Sequence, residues 1–150
     1  MSSTRWGFAA GAVSARGRTR GADMLFCAVA TTDLQRTMQL FYDLYFMPFT
    51  PGFGMNAGIN VFRDVNDFQL YAGVGPGMHY IHAADNRHGR NTSLALRTHL
   101  GFSRQATNNL QLQAQIPFTF LFSREKVFQT GIEMRFLFSG RRNHIEVLNF

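Results

Sequence analysis

The chain has 150 residues, enough for one domain, and its single cysteine, Cys27, excludes an intramolecular disulfide framework and a thiolate metal cluster. Only 16% of the residues are charged, against about 25% in ordinary soluble domains, while phenylalanine occurs 16 times. No run approaches the roughly 20 apolar residues of a transmembrane helix. The net charge of +6 favours acidic partners such as phosphate groups.

The first elements admit two readings. Residues 6–15 and 22–32 read as two strands. Alternatively, Arg16, Arg18 and Arg20 followed by the apolar run Met24-Leu25-Phe26-Cys27-Ala28-Val29-Ala30 resemble a signal peptide, with Ala28-x-Ala30 as the cleavage site. The strand reading is preferred, with any export signal outside this chain.

From residue 40 onward the period is two, the signature of strands with one apolar face. Leu40, Tyr42, Leu44 and Phe46 oppose Phe41, Asp43 and Tyr45. Phe53, Met55, Ala57, Ile59 and Val61 oppose Gly54, Asn56, Gly58 and Asn60. Phe68, Leu70, Ala72, Val74, Pro76, Met78 and Tyr80 oppose Gln69, Tyr71, Gly73, Gly75, Gly77 and His79. Leu94, Leu96, Thr98, Leu100 and Phe102 oppose Ser93, Ala95, Arg97, His99, Gly101 and Ser103. The clearest segment is 109–122, where Leu110, Leu112, Ala114, Ile116, Phe118, Phe120 and Phe122 oppose Gln111, Gln113, Gln115 and Thr119; Pro117 and Leu121 break its polar face. Proline cannot donate to a ladder, so a bulge is expected at Pro117. Last, Phe128, Thr130, Ile132, Met134, Phe136 and Phe138 oppose Gln129, Gly131, Glu133 and Arg135.

With the two N-terminal strands this makes an eight-stranded antiparallel up-and-down β-barrel over residues 1–138, all-β, with 139–150 as a tail or short hairpin extension. The connections fall at 16–21, 32–36, 51–52, 63–67, 81–91, 104–108 and 123–126, and none can hold a crossover helix.

The barrel is expected to span a membrane. Its polar face is rich in Gly, Asn, Gln, Ser and His, whereas a solvent face would carry more Lys and Glu. Eight strands leave an interior just wide enough for side chains, and Gly54, Gly58, Gly73, Gly75 and Gly77 would make room for bulky neighbours. Tyr80, Phe102, Phe122, Phe128 and Phe138 suit interfacial girdles. The inverted reading is a soluble, lipocalin-like lipid-binding barrel.

The stretch Phe68-Gln-Leu-Tyr-Ala-Gly-Val-Gly-Pro-Gly-Met-His-Tyr80 resembles the Tyr-x-Gly-x-Gly-x-Gly strand of opacity-like and small-porin-like outer-membrane barrels. Leu94 to Phe120 and Gly131-Ile-Glu-Met-Arg-Phe-Leu-Phe138 resemble the closing strands of that superfamily. The resemblance implies a Gram-negative outer membrane, lipid and lipopolysaccharide as surroundings, and barrel assembly machinery that reads a terminal aromatic. Phe138 fits that role, although residues 139–150 follow it.

For chemistry, Asp43, Arg97, Glu133 and Arg135 are expected to form an ion-pair network in the lumen, with His79, His99, Gln111, Gln113 and Gln115 as further lumen polar groups. Unpaired, such charges would be costly to bury; a gated ion path is the sharper alternative. His82, Asp85 and His88 share a loop but lack fixed metal-ligand spacing, so neither a metal nor another cofactor is expected. The basic residues cluster in connections (Arg87 and Arg90, Arg124 and Lys126, Arg141 and Arg142) without a nucleic-acid motif, so no nucleic-acid partner is expected. The alternative activity is lipid A modification. No histidine here is followed two residues later by serine, the pair by which the deacylase barrels resemble one another. Tyr42-Asp-Leu-Tyr45 resembles a fragment of the palmitoyltransferase barrel, and Ser93 or Ser103 with His99 is the remaining nucleophile–base pairing. The preferred reading is a non-catalytic monomer with a role in membrane structure, adhesion or surface interaction, or in very limited passage of small solutes.

Overall fold

The computed structural model describes residues 3–16, 21–48, 52–81, 91–122 and 127–140. They form eight strands: β1 (Thr4–Arg16), β2 (Gly21–Gln35), β3 (Met38–Met47), β4 (Gly52–Val65), β5 (Phe68–Ile81), β6 (Asn91–Thr107), β7 (Leu110–Phe122) and β8 (Val127–Ser139). Each strand pairs antiparallel with the next, and β1 pairs with β8, so the sheet closes on itself. Closure leaves no unpaired edge, the condition for crossing lipid with strands. The tail beyond residue 140, the loop holding His82, Asp85 and His88, and most of the basic clusters lie outside the described residues.

The strands run further than the period-two pattern reaches. Turns at residues 36–37, 66–67 and 108–109 join β2 to β3, β4 to β5 and β6 to β7, all at the end where β1 begins and β8 stops. Asn66 takes φ 53°, a left-handed conformation that asparagine tolerates better than most residues. The other strand ends, including Ile81 and Asn91, lie at the opposite end. Short turns at one end and longer loops at the other follow the periplasmic and extracellular ends of such barrels.

The expected bulge at Pro117 is absent. Pro117 pairs in register with His99 on β6. On the β8 side the ladder skips Ile116 and Pro117, then resumes at Phe118↔Thr130 with the offset it had at Gln115↔Glu133. Pro76 sits in a similar gap between Asn56↔Gly77 and Ile59↔Val74. The missing N–H costs local ladder pairs without shifting register. The irregularities lie instead beside the short turns, between Asp33 and Gln35 and between Gln105 and Thr107.

Around the middle of the barrel the large outward-facing side chains are apolar: Trp6, Leu100, Phe122 and Ile132 are 66%, 60%, 63% and 65% exposed. Such a continuous exposed band suits lipid and not water, and it overturns the inverted, soluble reading, which would have turned these residues inward. Aromatic pairs mark both rims, Phe53–Tyr80 and Phe120–Phe128 at 5.0 and 4.9 Å toward the long loops, and Phe8–Phe136 at 5.2 Å toward the short turns.

Candidate functional site in the barrel lumen

The centre of the lumen is a ring of four charges. Asp43 comes from β3, Arg97 from β6, and Glu133 and Arg135 from successive inward positions of β8. Arg135 Nη2 donates to Asp43 Oδ2 at 2.6 Å and its Nε to Glu133 Oε1 at 2.8 Å. Arg97 Nη2 donates to Glu133 Oε2, and Arg97 Nε lies 3.8 Å from Asp43 Oδ2. Each carboxylate therefore touches both guanidiniums, and the formal charges cancel. All four residues are at most 3% exposed. Burying such charges is tolerable only because they are paired. Since β3 is not a neighbour of β6 or β8, the ring crosses the interior.

Above and below the ring lie smaller polar contacts. Toward the long loops, the Tyr45 hydroxyl bonds Nδ1 of His79. Toward the short turns, His99 Nε2 lies 2.7 Å from Asn60 Oδ1, Asn60 Nδ2 donates to Gln39 Oε1 at 3.4 Å, and Gln39 Nε2 donates to Asp33 Oδ1 at 2.9 Å. Arg5 Nη1 and Ser3 Oγ also donate to Asp33. This chain ends in a polar cavity of about 370 Å³ at the mouth, lined by Arg5, Asp33, Gln39, Phe62, Gln69 and Gln111. Tyr71 donates to Gln115 Oε1 at 2.9 Å, and Gln111 Nε2 to Ser103 Oγ at 2.7 Å. Gln113 is 1% exposed. Glycine is required where these side chains cross the wall: a Cβ on Gly73 would strike His99 and Asn60, and one on Gly54 the Tyr45 ring.

The two lumen histidines stand apart. His79 is opposite Ser93 and His99 opposite Gly73, six residues further along the same ladder, or about 20 Å at roughly 3.3 Å per residue. Ser93 therefore faces His79, Ser103 is held by Gln111, and neither bonds to His99 among the described residues. No group of three or more His, Cys, Asp or Glu side chains suited to a metal occurs among the described residues. Sequence reasoning missed Arg5 and Asp33 because both lie just beyond the expected strand ends. It placed Asn60, Tyr45 and Tyr71 on the inward face without giving them a role.

The interior is also less uniformly polar than the alternation suggests. Under β1 and β2 it is lined by Ala9, Val13, Leu25, Cys27 and Val29, joined by Tyr45, Met47 and Leu137.

No protein-family model matches the chain by sequence, and no curated protein does. Solved structures do match by shape. Neisserial surface protein A superposes with a TM-score of 0.75 at 15% identity, covering 93% of this chain and 99% of that one. The N-terminal β-barrel domain of Pseudomonas aeruginosa OprF gives 0.57 at 14%, covering 88% and 97%. Ail, the attachment invasion locus protein of Yersinia pestis, gives 0.53 at 12%, covering 91% and 99%. At these identities the likeness is one of fold. Closed topology, lipid-facing exterior and these neighbours define the class: a small eight-stranded transmembrane β-barrel of the outer-membrane type. The fold is thus that of the outer-membrane barrels, and the exposed apolar band is a surface suited to lipid.

Proposed function

We propose that this protein is a closed, non-catalytic barrel that serves as a membrane scaffold and acts on its surroundings through the loops at its outer end. The observation that carries this reading is the charge ring, in which Asp43, Arg97, Glu133 and Arg135 bond to one another across the lumen. Phe41, Tyr45 and Tyr71 fill the space around it, each at most 4% exposed. A passage would have to break charge-assisted bonds in a site without bulk water, which is costly. The role is therefore surface interaction or adhesion, with solute passage at most very limited. The names of two similar structures, a surface protein and an attachment protein, support that direction. The barrel acts as a monomer, inserted by the barrel assembly machinery through the aromatic Phe138 at the end of β8.

The test is uptake of a small sugar by liposomes carrying the refolded protein, run beside incubation with lipopolysaccharide and mass measurement of the lipid A. The reading expects swelling at the level of protein-free liposomes and an unchanged lipid A mass. Sugar-dependent swelling would overturn the closed lumen, and a gain or loss of an acyl chain would overturn the non-catalytic role.

A further inference from the structure

The lipid-facing wall carries apolar grooves where small outward residues lie between larger ones, and one of them has an arginine in its lining. Between β4 and β8 a groove of about 680 Å³ runs over the small residues Ala72 and Ala114, between the larger Leu100, Phe102 and Ile132. Its lining is apolar except at one end, where Arg63 closes it. Arg63 lies on the outward face of β4, two residues before the strand ends at Val65. Arg104 has the corresponding place on β6, next outward after Phe102. Arg63 is opposite Leu70, and Leu70 is opposite Phe102, so Arg104 stands two strands over and two residues further along, about 12 Å from Arg63. Both are exposed. Neither makes an ion pair or hydrogen bond to another described residue. The nearby carboxylate of Asp64 is engaged by Gln69 at 2.7 Å and faces Arg36 at 3.6 Å.

We propose that this groove and the two arginines form a binding site for an anionic glycerophospholipid of the periplasmic leaflet. An acyl chain lies over Ala72 and Ala114, and the headgroup phosphate sits between Arg63 and Arg104. Cations at this depth are expensive toward the hydrocarbon and favourable against phosphate. Guanidinium groups also match the phosphate oxygens in geometry. The arginines are at the end of the short turns, so the leaflet they meet is the phospholipid one.

Native mass spectrometry of the detergent-refolded barrel tests this, with phosphatidylglycerol, phosphatidylcholine and purified lipid A offered in competition. The expected result is one retained phosphatidylglycerol, preferred over phosphatidylcholine by tenfold or more, with about a fivefold loss for each of Arg63→Gln and Arg104→Gln. Filling the groove by Ala114→Phe should reduce both phospholipid adducts alike. Heat-modifiable gel mobility identifies folded samples, and the two surface arginine variants decide the matter if the filled groove prevents folding. Equal retention of the two phospholipids, unchanged retention by the double arginine variant, or displacement by lipid A would each overturn the proposal.

Discussion

The two sides of the lumen are built differently. Under the middle of β1 and β2 most inward side chains are apolar and pack on one another, Val13, Leu25, Cys27 and Val29 against Met47 and Leu137, with Asp23 and Thr31 as buried polar residues of β2. Under β4 to β7 most are polar, among them Asn56, Asn60, His79, Ser93, His99, Ser103, Gln111, Gln113 and Gln115, all at most 7% exposed, beside Phe62, Tyr71, Ala95 and Leu121. One side is held by contact and burial; the other sets polar groups together, with hydrogen bonds between His99 and Asn60, Tyr71 and Gln115, and Gln111 and Ser103. The charge ring joins them, with Asp43 on β3 reaching Arg97 on β6 and Arg135 on β8. Both sides carry an apolar exterior, so the contrast between them lies inside the barrel.

Breaking the seam should have the largest effect. Glu133→Ala leaves Arg97 and Arg135 buried with one carboxylate between them, and should cost about 3–5 kcal/mol. Urea titration in lipid vesicles measures this by the fluorescence of Trp6, the chain's single tryptophan, which faces lipid. Removing Arg97 together with Glu133 keeps Asp43 and Arg135 paired, so the double variant should lose clearly less than the sum of the two single losses. On the packed side, Leu25→Ala opens a cavity at a side chain only 2% exposed and should cost about 2–5 kcal/mol in the same titration. Tyr45→Phe removes the hydroxyl bonded to His79 and should cost about 1 kcal/mol. Arg5→Ala breaks the mouth pair with Asp33, whose side chains are 20% and 30% exposed. That change should cost under about 1 kcal/mol and shrink as salt is added. If Arg5→Ala matched Glu133→Ala, burial would not be what gives the central ring its strength.

The same contrast explains how much the sequence discloses. On the polar side one face is apolar and the other is not, so period two is plain in 68–80 and 109–122, and the inward positions of Arg97, Glu133 and Gln113 follow from it. In β1 and β2 both faces are apolar: Leu25, Cys27 and Val29 point inward while Met24, Phe26 and Ala28 point outward. Alternation there carries little contrast, which is why Met24 to Ala30 also resembles a signal segment. Register was beyond reach for a different reason. The separation of His79 from His99, and which carboxylate meets which guanidinium within the expected network, depend on the stagger between strands, which no single strand's pattern contains. Pro117 misled because its missing donor is a local property, whereas the ladders on either side hold the register.

The central claim is a lumen closed by paired charges. The most direct measurement is single-channel conductance in planar bilayers for the wild-type barrel and for the variant carrying both Asp43→Ala and Arg97→Ala, with folded insertion verified by gel mobility. No stable conductance is expected from the wild type, and new, salt-dependent openings are expected from the variant. A wild type that conducts steadily, with the variant unchanged from it, would contradict the claim.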